Sequence, residues 1–331
     1  MDKKLKAGFY WAASCGGCEV AVLDINETII DVIQKVDIEF WPVAMDTKYQ
    51  DIREKPDGYF DLFLFNGSVR TSEQEELAHL FRKKTKIMIA FGSCAHEGCI
   101  PGLANLASRD EVFDRIYLSS PSTKNPDKIL PQAVTKTKQG EITLPVFHNR
   151  VKPLDRIVEV DYYMPGCPPP PELIVDAFNA VFDDKLPAKG SVLAPDKTLC
   201  DVCDRNPVTE KKMPIITDLL HITPDREKCF LEQGLICMGP VTRAGCGSRC
   251  IKGNFPCTGC MGAAPNIKDQ GSKMISALTS ILGLDDEESA SEADVKAIID
   301  KIRDPIGTFY MYSLASSILG GRYEKNEKDN D

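Results

Sequence analysis

The chain has 331 residues, 43% of them hydrophobic and 27% charged, which supplies a sizeable core and exceeds what one core usually organises, so more than one domain is expected. Its 49 Asp and Glu outweigh 40 Lys and Arg for a net charge of -9, and no stretch clusters the cations that phosphate contacts need, which excludes a nucleic-acid partner. No apolar run approaches the roughly 18 to 20 residues of a membrane span, and MDKKLKAGFYW enters a strand too early for an export leader; a cytoplasmic location is the expectation.

In chain order, LKAGFYW and DIEFWPV read as strands joined by CEVAVLDINETIIDVIQKV, in which Val22, Ile25, Ile29, Ile33 and Val36 recur at helical spacing. FDLFLFNGSV reads as a buried strand and TSEQEELAHLFRKK as a helix capped by Thr71 or Ser72. KIMIAFGSCAH is another buried strand, and RIVEVDYYMPGCPPPPELIVDAFNAVF reads as strand, turn and helix. Strands that alternate with helices and are apolar without a period of two imply a parallel sheet covered on both faces. The expected fold is α/β: a flavodoxin-like, doubly wound parallel sheet over residues 1–186. The long insertion from Ser119 to Asp155 is rich in Pro, Lys and Thr, and a small hairpin is expected at Gln139-Gly140.

After the linker KLPAKGSVLAPDK the pattern changes. Residues 187–268 form a smaller, mostly irregular, cysteine-rich domain in which only TDLLH and FLEQG read as helical. Residues 269–331 read as a helical segment with a polar tail: Ser291 to Asp294 fits a capping box ahead of Val295, Ile298, Ile299 and Ile302, and Pro305 opens a final helix running to Gly320.

Thirteen cysteines in a reducing compartment are better explained as metal ligands or redox centres than as disulfides. Ligands of an open parallel sheet bind beyond the carboxyl ends of its strands. Cys15 and Cys18 follow the first strand, Cys94 follows the strand IMIAF, and Cys167 follows the last strand, so four thiols from three loops are expected to meet at one edge. Gly16 and Gly17 free backbone N–H groups to face sulfur, and the helix start near Cys18 favours negative charge. Zinc and iron-sulfur clusters both accept four cysteines; zinc usually staples small loop-rich folds, whereas this domain has its sheet. The other eight cysteines divide naturally into Cys200, Cys203, Cys229 and Cys237, and Cys246, Cys250, Cys257 and Cys260, although ligands can also interleave between clusters. Three sets of four leave Cys99 over, expected as a small buried hydrophobe.

With these residues in view, the chain resembles the small, electron-transfer subunit of nickel-iron hydrogenases. The shared signatures are CGGCE at Cys15 to Glu19, GSCA at Gly92 to Ala95, PGCPPPPE at Pro165 to Glu172, CMGPVT from Cys237 and PCTGC at Pro256 to Cys260. The likeness is greatest to the cytoplasmic methyl-viologen-reducing type associated with heterodisulfide reductase. It implies three 4Fe-4S clusters: a proximal one on Cys15, Cys18, Cys94 and Cys167, a medial one on Cys246, Cys250, Cys257 and Cys260, and a distal one on Cys200, Cys203, Cys229 and Cys237. It further implies a large-subunit partner holding nickel and iron, and a downstream iron-sulfur or flavin acceptor of the heterodisulfide-reductase kind. Respiratory members carry a histidine where this chain has Cys200, and often a 3Fe-4S medial cluster for want of the thiol that Cys250 supplies. The paired-cysteine nickel motifs of the large subunit are absent, so dihydrogen chemistry is expected on another chain.

Other readings of the same residues are a thioredoxin-like dithiol for CGGC, a complex I-like or ferredoxin-type carrier without a hydrogenase partner, a flavodoxin, and a zinc-stapled interaction protein. For the first, the remaining thiols argue against a lone pair; for the second, complex I relatives use adjacent cysteines where this chain has a two-residue gap. Glu19 could relay protons, or simply favour a helix start. His96 and His221 are expected to be structural, and Phe309, Tyr310, Tyr312, Leu314 and Ile318 to dock a partner or pack on their own domain.

Overall fold

The computed structural model describes residues 4–206, 212–282, 296, 297 and 299–320. Among the described residues the strands are β1 (Leu5–Trp11), β2 (Val36–Phe40), β3 (Phe60–Asn66), β4 (Val69–Thr71), β5 (Thr85–Phe91), β6 (Val134–Thr137), β7 (Gly140–Thr143), β8 (Phe147–Lys152) and β9 (Tyr162–Met164). Five of them form an all-parallel sheet in the order β2-β1-β3-β5-β9, the doubly wound arrangement read from the apolar runs.

Period-two alternation is present, hidden because both faces are apolar. Phe9, Leu62, Leu64, Ile89 and Phe91 enter one core with the helix Pro171–Phe182. Their neighbours Tyr10, Phe63, Phe65, Met88 and Ala90 enter the other with the helix Ser72–Lys84. Thr71 caps that second helix: its hydroxyl accepts from the Gln74 N–H at 3.3 Å while the Gln74 side chain accepts from the Thr71 N–H at 3.1 Å. The hairpin at Gln139-Gly140 is β6 against β7, and all its residues are exposed.

Several elements depart from the sequence reading. The stretch from Cys18 to Val36 is two helices, Gly17–Leu23 and Thr28–Lys35, because Asn26 adopts φ +54 and its side-chain amide donates to the Asp24 carbonyl. Ile33 is consequently exposed, and Val36 begins β2. β9 is three residues long: Asp161, just before it, turns its carboxylate onto Arg82 and the Met88 N–H. The linker reinforces this short strand, with Tyr163 donating to the Ser191 carbonyl and accepting from the Leu193 N–H.

In the cysteine-rich part, TDLLH is a turn fixed by the Asp218 carboxylate on the Leu220 N–H, and FLEQG holds only a 3-10 turn at Leu231–Gln233. A third core joins Leu199, Phe230 and Ile251 with Met274, Leu278, Phe309 and Leu314. The final helix stops at Phe309 and does not reach Gly320. Tyr310 and Leu314 are both buried, and the chain turns to seat them; Ile318 instead donates its N–H to Asp269. This segment packs on its own core. The capping box at Ser291 to Asp294, with Val295 and Ile298, lies outside the described residues.

Candidate metal centres

The thiols of the first half do meet at the carboxyl edge of the sheet. Cys15 sits on the turn after β1 and Cys18 in the first turn of the helix Gly17–Leu23, Cys94 on the short helix Ser93–Glu97 after β5, and Cys167 after β9. Burial pushes the Cys18 thiol well above its usual value, and the sulfurs of Cys94, Cys167 and Cys15 reinforce the shift. Gly92 makes this proximity possible: at φ +83, any Cβ there would lie 2.3 Å from the Cys18 sulfur. At Gly16, φ +78, the backbone folds over the Trp11 ring, and the next N–H, of Gly17, approaches the Cys15 sulfur at 3.4 Å.

Cys99 is fully buried, as expected of a small hydrophobe, but it is also part of this group. Its thiol lies close to the Cys167 and Cys94 sulfurs, and these together with burial raise it far above its usual value. Cys167, accepting from it, is held down to about 7. The available sequence signal was the placement of Cys94 and Cys99 on one post-strand loop, broken at Gly98 with φ +87.

The remaining eight thiols line two cavities. One, of about 220 Å³, is bounded by Cys246, Cys250, Cys257 and Cys260, with Cys167 on its wall. The other, narrower at about 20 Å³, is bounded by Cys200, Cys203, Cys229 and Cys237. Burial raises Cys260 to about 12 and Cys237 to about 11, and raises Cys257 as well. Backbone N–H groups oppose the shift, from Gly239 to Cys237 and from Gly259 to Cys257. Cys-x-Gly therefore recurs at Cys15, Cys237 and Cys257, each time aiming the glycine N–H at sulfur. Such donors stabilise anionic sulfur. Among the described residues, no three His, Cys, Asp or Glu side chains close on a point that one metal ion would occupy.

The three groups adjoin in order. The Cys167 backbone N–H lies close enough to the Cys260 sulfur to oppose the upward shift of its thiol, and the Cys257 N–H donates to the Cys237 sulfur at 3.3 Å. Ser93 adds a link between the first two groups, donating to the Cys260 carbonyl at 2.7 Å and accepting from the Gly166 N–H at 3.1 Å.

Glu19 is buried beside Cys18 and accepts from the Asn66 side chain at 2.8 Å; burial raises its carboxyl. His96 stacks on Tyr163 in the interior and His221 is an exposed partner of Asp218; neither lines a thiol cavity.

The architecture has known counterparts. Residues 15–181 match the family described as NADH ubiquinone oxidoreductase, 20 Kd subunit, a match that spans the sheet and ends before the later eight cysteines. Relatives match over essentially the whole length. The iron-sulfur subunit of the F420-non-reducing hydrogenase of Archaeoglobus profundus is 40% identical, covering 97% of this chain and 99% of the relative. The corresponding F420-non-reducing hydrogenase subunit of Methanothermobacter thermautotrophicus is 34% identical, covering 99% and 100%. Among solved structures, the [NiFeSe] hydrogenase of Desulfovibrio vulgaris Hildenborough superposes with a TM-score of 0.50 at 18% identity, over 81% of this chain and 95% of that one, a likeness of fold alone. The chain belongs to the family of hydrogenase iron-sulfur small subunits, in its F420-non-reducing branch.

Proposed function

We propose that the chain relays electrons through three 4Fe-4S clusters between a nickel-iron large subunit and a downstream iron-sulfur or flavin acceptor of the heterodisulfide-reductase kind, in the cytoplasm. Cys15, Cys18, Cys94 and Cys167 would hold the proximal cluster, Cys246, Cys250, Cys257 and Cys260 the medial one, and Cys200, Cys203, Cys229 and Cys237 the distal one. Such clusters supply one-electron carriers; the hydrogen chemistry belongs to the large subunit.

The observation that carries this reading is the serial adjacency of the three thiol groups, the first two joined through Ser93 and the last two by the Cys257 N–H on the Cys237 sulfur. A folded chain of this length has a radius of gyration of about 20 Å, so charge crossing it needs intermediate stops. The protein's own contributions are glycine N–H groups directed at sulfur in each group and, in the first two, ligand loops pinned by Ser93 and Gln270. Gln270, buried, donates to Gly259, Gly262 and Thr242, fixing the backbone between Cys257 and Cys260.

Affinity isolation without oxygen tests the assignment. A nickel-bearing subunit should co-elute, and the complex should reduce a viologen dye with dihydrogen. Cys18→Ala should lower that rate at least about a hundredfold, by removing a ligand of the first stop while leaving the nickel subunit intact. Stoichiometric zinc without acid-labile sulfide would defeat the proposal.

A further inference from the structure

Arg205 is a buried cation on the wall of the Cys200, Cys203, Cys229 and Cys237 cavity. Its guanidinium donates to three oxygens, the carbonyls of Asp225 at 3.1 Å and Ile251 at 3.3 Å, and the Asn254 side-chain amide at 2.8 Å. Its face lies 4.3 Å from the centre of the Phe230 ring, which lines the same cavity. All of these partners are neutral, and among the described residues no carboxylate forms an ion pair with Arg205, so they orient the charge without cancelling it. A buried guanidinium without a counter-ion is strongly unfavourable. The anions this arrangement offers are the four cavity sulfurs and whatever they bind.

The neighbouring cavity differs. Arg249 on its wall is exposed and already paired with the Glu172 carboxylate, at 2.9 and 2.8 Å. An uncancelled cation therefore distinguishes the last group of thiols from the one before it.

We infer that Arg205 is the built-in counter-ion of the cluster on Cys200, Cys203, Cys229 and Cys237 and raises that cluster's reduction potential above the value its four thiolates alone would give, drawing electrons towards the exit. The inference rests on the three-cluster reading. Adding an electron makes a cluster more negative, so a fixed positive charge nearby favours the reduced form. At an effective dielectric of about 20 and a separation of several ångströms, the bias is about tenfold or more in the reduced-to-oxidised ratio. Arg205 acts on the cluster through its field; it is not a ligand.

The experiment is an EPR-monitored redox titration of the anaerobically isolated complex, with iron counted in each variant. Arg205→Met should lower the potential of one cluster only, so that at the wild-type midpoint its reduced-to-oxidised ratio falls about tenfold or more, while Arg205→Lys retains most of the wild-type value. Asn254→Asp places a carboxylate against the intact guanidinium and should lower the same potential; it carries the test if Arg205→Met loses iron. Unchanged midpoints in iron-replete Arg205→Met or Asn254→Asp, or an equal shift in Arg205→Lys, would overturn the inference. A wild-type complex lacking a third cluster would instead overturn the three-cluster reading itself.

Discussion

Glu97 shows how individual residues tune the seam between the sheet and the cysteine-rich core. It is buried, its Oε1 accepts from the Ala263 N–H at 3.3 Å, its Oε2 has no hydrogen-bond partner among the described residues, and burial raises its carboxyl from 4.5 to about 7. The native chain thus retains a proton between about pH 4.5 and 7 that the unfolded chain has released; this contribution to stability is complete below about 4.5 and lost as pH rises through 7. Next to it, His96 is lowered to about 4 by burial and by Arg243, so its contribution has the opposite slope, present above about 6.5 and lost as pH falls through 4. The two offset. Replacing Glu97 with Gln should leave the His96 slope exposed, and stability relative to wild type should rise by about 3 kcal/mol between pH 4.5 and 7. Denaturant unfolding across that range checks it; parallel profiles would refute it. Neither group carries a mark in the sequence, since a His-Glu pair looks the same in water as in a core. Arg205 and Cys99 are similar cases: their residue types were visible, but their neighbours were not.

At the scale of elements, glycines place the ligand loops. Gly92→Ala would drive a methyl into the Cys18 sulfur at a backbone angle that favours glycine. Iron analysis should show a loss of about one third of the metal, with the two later clusters retained in the EPR spectrum; full iron content would contradict the packing described. Thr71→Ala removes one half of the capping box on Ser72–Lys84 and should cost about 1 kcal/mol in denaturant unfolding without altering iron content. The cap, the strands of the five-stranded sheet and the hairpin were legible because each is signalled locally, by a Thr-x-x-Gln spacing, an apolar run or a Gln-Gly step; β8, within the insertion, was not. The break at Asn26 was not, because the apolar period continues through it and the turn rests on one residue's left-handed conformation. Nor was the short final helix: Tyr310 and Leu314 fit a helical period, yet their burial in the third core ends the helix at Phe309.

Across the whole molecule, the sheet edge, two thiol-lined cavities and the hydrogen bonds between them form one sequence of sites. The first group was legible because strand ends of a parallel sheet share an edge, so loop cysteines distant in sequence are forced together. For the second half no such topological rule exists. Its backbone is mostly irregular, and its grouping into sets of four rests on counting, with the two cavities lined in keeping with that division. The measurement closest to the central claim is iron and acid-labile sulfide per chain in anaerobically isolated protein, for wild type and for Cys203→Ser and Cys260→Ser. The proposal requires about twelve of each in the wild type, with each variant losing iron or converting only the site to which its cysteine belongs. Four or eight irons per chain, or one substitution disturbing both later sites equally, would contradict it.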